Sequence, residues 1–207
     1  STKDHQSEPI ESASETLQRI FDGHGSVLGS QMADESSRYD VLKKTDFPKP
    51  QRTRRIAVAN QKGGVGKTTS TVNTAAALAN KGAQVLVIDM DPQGNASTAL
   101  GVSHASGEPS VYDVIEGRSD LGDVITVCPD FPTLDVVPAS IDLSGAELEV
   151  ADLPNRNTLL KEALDLYLRQ SDKHYDYVFI DCPPSLGLLV INAMCAVTEM
   201  LIPIQAE

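Results

Sequence analysis

Residues 56–69 read IAVANQKGGVGKTT, a short apolar run followed by a loop that contains three glycines. The loop leads into a segment of helical composition, Thr68 to Asn80, which stops at Lys81-Gly82. The next apolar run, Val85 to Ile88, is rich in β-branched residues, as is typical of a strand buried on both faces. Strand, loop, helix and strand in this order predict a βαβ unit with parallel strands.

The rest of the chain continues this alternation. Further strand candidates are Leu134–Val137, Tyr177–Ile180 and Met200–Ile204, and Thr158–Arg169 carries leucines at helical spacing. We therefore predict an α/β fold, a doubly wound, mainly parallel sheet with helices on both faces. The glycine-rich loop between the first strand and its helix is typical of the P-loop NTPase type. Because only three residues follow the last strand candidate, we also expect a fragment that lacks a C-terminal part.

The tail that precedes this domain has a different composition. Residues 1–55 are rich in Ser, Glu, Asp, Gly and Lys, and they end in a basic run with two prolines, Phe47 to Arg55. We predict a mobile N-terminal tail and basic linker over 1–55 and the folded domain over 56–207. Within the tail, Ser14 to Phe21 has three apolar residues on one face of a possible helix, which is either transient or a partner-docking segment.

The net charge of −12 is unevenly distributed. Nine of the 17 basic and nine of the 29 acidic side chains lie in residues 1–55, which leaves 8 basic and 20 acidic side chains in residues 56–207. Nucleic-acid affinity depends on clustered Lys and Arg side chains that replace counterions. We therefore expect any DNA contact to come from a local basic patch or from sequence beyond this chain.

The cysteines and the apolar segments bear on the compartment. Cys128, Cys182 and Cys195 lie far apart and show no C-x-x-C spacing, so they suggest neither a disulfide framework nor a zinc site. The chain has no apolar run of signal-peptide or membrane-span character. These features predict a cytoplasmic protein with reduced thiols. His104 and His174 have no ligand partners at metal spacing and are interpreted as structural or surface residues.

The glycine-rich loop is the strongest chemical signal in the sequence. Its glycines let backbone N–H groups converge on one point, and the following helix adds its positive N-terminal end, so polyphosphate is the expected ligand. Lys67 can reach the β and γ phosphates, and the Thr68 hydroxyl can bind Mg²⁺. We therefore predict ATP and Mg²⁺ as ligands. The predicted nucleotide-binding residues are Lys62, Gly63, Gly64, Val65, Gly66, Lys67, Thr68 and Thr69.

Three aspartates follow predicted strands, at the edge of the sheet where open α/β folds bind ligands. Asp89 and Asp91 come after the second strand, and Asp181 comes directly after the strand candidate Tyr177–Ile180. A carboxylate at this edge can orient the attacking water or hold the hydration shell of Mg²⁺. For Asp89 and Asp91, the alternative is a pair of turn-forming aspartates before Pro92.

The loop departs from the general pattern G-x-x-x-x-G-K-[ST], because Gln61 replaces the first glycine and Lys62 adds a second lysine. This variant resembles the deviant Walker A motif of the ParA/MinD group of P-loop ATPases. The runs DMDPQGN at 89–95 and IDCPPSLG at 180–187 resemble the ParA-type partition branch in particular. By this resemblance, residues 56–207 form a deviant Walker A P-loop ATPase domain that is C-terminally incomplete.

The resemblance implies a mechanism and a set of roles. Lys62, Lys67 and Asp91 would be catalytic, with Lys62 reaching the nucleotide of a second subunit and Asp91 placing the water. Thr68, Asp89 and Asp181 would serve magnesium. The ATP-bound homodimer would bind DNA non-specifically through the absent C-terminal part, and a ParB-like centromere-binding protein would stimulate hydrolysis. The protein would then be nucleoid-associated in the cytoplasm and serve chromosome or plasmid partition.

Two other functions stay open at this stage. One is a MinD-like membrane-positioning ATPase, in which nucleotide gates attachment through a C-terminal amphipathic helix, although no membrane contact is expected from this chain. The other is a metabolic P-loop enzyme that transfers phosphate to a small acceptor, but no separate acceptor motif is present.

Overall fold

The computed structural model describes residues 27–205, and the chain divides into two compact units, Ser1–Pro48 and Lys49–Glu207. In the first unit, helix α1 spans Val27–Lys44. This helix is not predicted from the sequence, because its apolar residues do not repeat at helical spacing. The helical candidate at residues 14–21 lies outside the described residues.

The second unit is built on a sheet of six strands in the order β3-β4-β2-β5-β1-β6. All neighbouring strands are parallel except β3 and β4, which are antiparallel. The doubly wound, mainly parallel sheet is therefore confirmed. The strands are β1 (Arg54–Val58), β2 (Val85–Asp89), β3 (Thr126–Val127), β4 (Leu134–Val137), β5 (Tyr177–Asp181) and β6 (Glu199–Leu201).

Helices connect the parallel strands, and several of them are short. They are α2 (Lys67–Asn80), α3 (Asn95–Ala99), α4 (Val111–Ile115), α5 (Leu143–Glu149), α6 (Leu159–Gln170) and α7 (Leu188–Ala196), with a 3₁₀ turn at Leu121–Val124. The two helices that the sequence predicted, α2 and α6, are present to within one residue at each end. None of the helices in the described part of the chain combines the length and apolar character needed to cross a membrane.

Two hydrophobic cores cover the two faces of the sheet. Leu86 and Ile88 of β2 pack into one core with side chains of α4 to α7, whereas Val85 and Val87 pack into the other with side chains of α2. Alternating side chains of one strand point to opposite faces, so β2 is buried on both sides. The prediction of helices on both faces is thus confirmed.

Two strand boundaries differ from those read from the sequence. Strand β1 includes Arg54 and Arg55, which the sequence analysis placed in the linker, and Arg55 forms an ion pair with Asp165. Strand β6 ends at Leu201, although the apolar run continues to Ile204. Pro203 has no N–H to donate to a strand ladder, which accounts for the early end.

Pairing register brings the predicted acidic residues to one edge. Asp181 at the end of β5 is the register partner of Val58 on one side and of Asp89 on the other. The loop that follows β1 therefore starts beside both carboxylates. The nucleotide loop and the predicted acidic groups lie at the carboxyl end of the same three central strands.

Asn192 on α7 forms hydrogen bonds with the start of α6. Its side chain is fully buried, accepts a hydrogen bond from the backbone N–H of Leu160 at 3.1 Å, and donates to the carbonyl oxygens of Arg156 and Leu188 at 2.7 and 3.1 Å. Leu160 lies in the first turn of α6, where an N–H group has no partner within the helix. Asn192 therefore caps a helix that is distant in sequence.

We expect Asn192→Leu to lower the free energy of unfolding by about 3 kcal/mol, because it leaves a buried N–H and a carbonyl without partners. Urea unfolding followed by circular dichroism measures this change. Asn73→Ala, at an exposed site on α2, is the matched control and should change stability by no more than about 0.5 kcal/mol. Equal stability of the two variants would contradict the capping role.

Candidate functional site

The glycine-rich loop forms an open cradle between β1 and α2. Gly64 and Gly66 adopt left-handed backbone conformations, with φ of 75° and 88°, which L side chains rarely adopt. A cavity of about 290 Å³ lies over the loop and is lined by its residues between Gly63 and Thr69 together with Asp91, Asn95 and Pro184. Six of the eight predicted loop residues therefore share one cavity with Asp91, at the N-terminal end of a 14-residue helix, whereas Lys62 and Val65 do not line it.

The two lysines of the loop have different environments. Lys67 is 8% exposed, and its Nζ donates to the carbonyl oxygen of Lys62 at 3.3 Å. Lys62 is exposed, and its backbone N–H donates to Asn60 Oδ1 at 2.9 Å. Lys67 is thus held inside the loop, whereas Lys62 is exposed and borders a different cavity.

Asp181 is the best-connected carboxylate of the site. It is fully buried, and it accepts hydrogen bonds from the hydroxyls of Thr68 at 2.7 Å and Thr71 at 2.8 Å. Burial raises the pKa of Asp181 to about 6, and the nearby charges of Asp89 and Asp91 also raise it. The hydrogen bonds from Thr68 and Thr71 lower the pKa but do not outweigh these effects. A cation bound nearby would stabilise the ionised form of this buried carboxylate.

Thr71 is a site residue that sequence analysis missed. Its hydroxyl is buried between the carbonyl oxygen of Lys67 at 3.0 Å and Asp181 Oδ1 at 2.8 Å. It lies one helical turn after Thr68, so both hydroxyls lie on the same face of α2. This spacing is the signal in the sequence from which Thr71 could have been found.

Asp89 has a different environment from the one expected of a metal residue. It is fully buried, and its Oδ2 accepts from both the N–H and the hydroxyl of Ser97, at 2.8 and 2.7 Å, while its Oδ1 accepts from the N–H of Asp91 at 3.1 Å. Ser97 Oγ in turn accepts from the N–H of Ala139 at 3.1 Å. Protein donors bind both oxygens of Asp89, and these bonds hold α3 and the Asp91 turn against the sheet, while its magnesium role stays a prediction.

Asp91 lies at the cavity itself. It is 9% exposed, and its Oδ1 accepts from the N–H of Gln93 at 3.0 Å. Its carbonyl oxygen also accepts from the N–H of Gly94 at 2.8 Å, which closes a turn through Pro92. Asp91 therefore both forms a turn and lines the phosphate cavity.

The cysteine next to Asp181 has a buried thiol. Cys182 is buried, and burial raises the pKa of its thiol to about 12, so it is unreactive at neutral pH.

Between residues 27 and 205 no group of three or more His, Cys, Asp or Glu side chains is placed to hold a metal ion. Mg²⁺ is commonly held by one or two protein oxygens together with nucleotide phosphates and water, and Thr68 with Asp181 fits that pattern.

Comparison with known proteins places the chain in a family. A family model described as an AAA domain matches residues 53–207. The chain belongs to this AAA domain family. The Bacillus subtilis sporulation initiation inhibitor protein Soj is 49% identical over 152 residues, and the Caulobacter vibrioides chromosome partitioning protein ParA is 46% identical over 152 residues. The resemblance to ParA-type partition ATPases is thus confirmed.

Solved structures of similar sequence agree with this chain in fold. An ATP-analogue and magnesium complex of cobyrinic acid a,c-diamide synthase from Mycobacterium smegmatis has a TM-score of 0.67 and 39% identity, and covers 73% of this chain and 58% of that one. A plasmid partition protein from Borrelia burgdorferi, bound to AMPPNP, has a TM-score of 0.64 and 28% identity, and covers 74% and 63%. Soj and ParA are each matched over 73% of this chain, which spans 58% and 56% of their lengths.

Proposed function

We propose that this ParA-type chain is part of an ATP-dependent, dimerising switch ATPase for chromosome or plasmid partition. The observation that carries the proposal is the convergence of the glycine cradle, Asp91 and the Thr68–Asp181 pair on one edge of the sheet. The similarity to Soj and ParA supports partition as the process.

The loop residues bind the nucleotide phosphates in this proposal. The backbone N–H groups from Gly63 to Thr69 and the N-terminal end of α2 stabilise the phosphate charge. Lys67, already held inside the loop, neutralises the β and γ phosphates without a large rearrangement. Solved relatives that were crystallised with an ATP analogue, ADP or AMPPNP support a nucleotide ligand.

Magnesium fits the Thr68–Asp181 pair. Bound there, the ion would neutralise charge on the phosphates and on Asp181, which burial makes unfavourable to ionise. Thr68 would supply its hydroxyl oxygen, and Asp181 would accept hydrogen bonds from the ion's water ligands. Thr71 keeps the Asp181 carboxylate oriented through its hydroxyl.

Asp91 is the residue we assign to water positioning. Its carboxylate lines the phosphate cavity, and the backbone of Gln93 holds one of its oxygens. The remaining oxygen can accept a hydrogen bond from a water placed in line with the γ phosphate. Asp89 supports this position from the buried side through the N–H of Asp91.

Lys62 is assigned to the contact between two subunits. It borders a second cavity of about 400 Å³, whose lining includes the exposed apolar side chains of Leu186, Met200 and Ile202, at 64%, 48% and 55% exposure. An exposed lysine beside exposed apolar surface suits an interface that closes over bound nucleotide. Closure of such a homodimer would bring Lys62 of each subunit to the phosphates of the other.

The remaining parts of the proposal concern partners and place in the cell. The ATP-bound dimer binds DNA without sequence preference, and a ParB-like protein stimulates hydrolysis and so releases the dimer from the nucleoid. Because the domain is acidic, the proposed DNA contact requires a local basic patch or the part of Soj and ParA that this chain does not span. The protein is accordingly placed in the cytoplasm and on the nucleoid.

Two alternatives keep a role for the same nucleotide site. A MinD-like ATPase would bind lipid rather than DNA in its ATP state. A metabolic ATP-dependent enzyme is the other, and the name of the Mycobacterium smegmatis relative, cobyrinic acid a,c-diamide synthase, favours keeping it as a candidate. Both would leave nucleotide-dependent DNA binding absent.

DNA binding by the intact protein tests the proposal. We expect binding to non-specific duplex DNA only with Mg-ATP, with affinity that falls steeply as salt rises. Asp91→Ala should stay on DNA as the ATP-bound dimer, with phosphate release reduced about 100-fold. Fluorescence anisotropy with labelled DNA and a phosphate-release assay measure both quantities.

Asp130→Ala is the matched control, because Asp130 is exposed and lies away from the cavity. It should behave like the unaltered protein. Binding to anionic vesicles but not to DNA would replace partition by the membrane function. Wild-type phosphate release by Asp91→Ala would assign water positioning to another residue.

A further inference from the structure

His104 lies against the segment that carries Asp91, although it is ten or more residues away in sequence. Its Nε2 is 2.8 Å from Oγ1 of Thr98, which lies in α3, and its ring lies over Gly94. A β-carbon built on Gly94 would lie 2.5 Å from His104 Nδ1 and 2.6 Å from Cε1. The ring therefore occupies the space that any side chain at position 94 would need.

Gly94 connects two residues of the nucleotide cavity. It closes the turn that begins at Asp91, through the 2.8 Å bond between its N–H and the Asp91 carbonyl, and its φ is 64°. Asn95, the next residue, lines the cavity together with Asp91. A side chain that restrains Gly94 thus restrains both ends of the turn.

Two separate sets of contacts hold the turn. Asp89 binds the N–H of Asp91 and the N–H and hydroxyl of Ser97 through buried hydrogen bonds. His104 contacts Gly94 and is half-buried. Gly94 has no side chain that could restrict its backbone. If the His104 ring were removed, Gly94 would therefore regain the wide backbone freedom of glycine.

We propose that His104 is a positioning residue for ATP hydrolysis, which holds the Asp91 turn by packing its ring on Gly94. The inference rests on the proposed function, because it names a further residue that serves the same site. His104 does not line the phosphate cavity, so its loss affects the placement of Asp91 and leaves the phosphate-binding loop intact.

Kinetics of the intact protein test the role. We expect His104→Ala to lower kcat for ATP hydrolysis about tenfold, with KM for ATP within about twofold, because a small displacement of a positioned group slows chemistry more than binding. His104→Phe keeps a ring over Gly94 and should retain at least about half of the wild-type kcat. His174→Ala is the matched control, since His174 is exposed and lies near Asp176 before β5.

Hydrogen exchange gives a readout that does not require activity. The Gly94 amide of nucleotide-free His104→Ala should exchange about tenfold faster than in the wild type, and the amides of β2 should be unchanged. Thr98→Val, which removes only the hydroxyl partner, should change the exchange rate less than His104→Ala. This milder variant keeps the test valid if the alanine variant fails to fold.

The two proposals fail in different ways. A wild-type protein that hydrolyses no ATP overturns the proposed function, and hydrogen exchange still decides the contact. An active wild type together with a fully active His104→Ala overturns only the positioning role. Equal loss of kcat in His104→Ala and His104→Phe would also reject it, because the ring would then not be what holds the turn.

Discussion

Asp181→Asn is expected to abolish Mg-dependent ATP hydrolysis and, at the same time, to stabilise the nucleotide-free protein. The carboxylate is buried where its charge is unfavourable, which raises its pKa from 3.8 to about 6. That shift corresponds to about 3 kcal/mol that ionisation of Asp181 takes from the folded state. A neutral amide of the same shape removes this cost.

The hydrogen bonds of the site allow the substitution. Thr71 can donate to the carbonyl oxygen of Lys67 at 3.0 Å and accept from the new amide N–H, while Thr68 continues to donate to the amide oxygen. The amide cannot offset the charge of Mg²⁺, so we expect hydrolysis to fall by about 100-fold or more.

The stability difference should depend on pH in a defined window. Because the pKa of Asp181 is higher in the folded protein than in an unfolded chain, its ionisation opposes folding, and the effect develops as pH rises from about 4 to about 6. The Asn variant lacks this loss, so its advantage should be absent below about pH 4 and complete above about pH 6. Thermal unfolding in EDTA across this range measures the difference.

Asp165→Asn is the control for Asp181→Asn, with the opposite expected sign. Partial burial acts to raise the pKa of Asp165, but hydrogen bonds and charge from Lys161 and Arg55 outweigh it, and the net pKa is lowered. Its ionised form therefore supports folding above about pH 4, and the Asn variant should lose a little stability there. If Asp181→Asn were also less stable at pH 7, the proposed electrostatic cost of Asp181 would be rejected.

Lys62→Ala and Lys67→Ala should separate dimer formation from nucleotide binding. Lys67 is buried in its own loop, so its loss should weaken ATP binding by about 10- to 100-fold. Lys62 is exposed and does not line the phosphate cavity, so its loss should leave ATP binding by the monomer within about twofold. The Lys62 variant should nevertheless lose the ATP-dependent dimer, because its amine would contact the phosphates of the other subunit.

Two measurements on the intact protein check these outcomes. Calorimetric titration with Mg-ATP gives the affinity of the monomer, and analytical ultracentrifugation with a slowly hydrolysed ATP analogue gives the dimer fraction. Lys81→Ala, at the far end of α2, is the matched control and should leave both quantities unchanged. A full dimer fraction in Lys62→Ala would refute the contact between subunits.

Much of the fold could be predicted because its signals are local. Runs such as Val85–Ile88 are apolar at every position, as only a strand buried on both faces requires. The order of strand, loop and helix then restricts the connection to a parallel βαβ unit. Helix α1 and the two-residue strand β3 carry no such repeat, and both were missed.

Asp89 shows where sequence reasoning about the site stopped. Asp89 and Asp91 both follow the same apolar run, and position along the chain does not distinguish them. In the structure, Asp89 is the last residue of β2 and is fully buried against Ser97, whereas Asp91 stands two residues farther on at the cavity. The difference depends on donors from α3, which no sequence spacing had connected to Asp89.

By itself, the sequence determined that this chain has a phosphate-binding loop on a parallel sheet, because glycine spacing and hydrophobic runs act on the backbone within a few residues. Only the tertiary structure decided which groups control the acidic residues: Thr71 for Asp181, Ser97 for Asp89, and Gly94 with His104 for the turn at Asp91. Those contacts arise where separate segments meet at the strand ends, and hydrogen bonding and packing at such a meeting depend on three-dimensional distance.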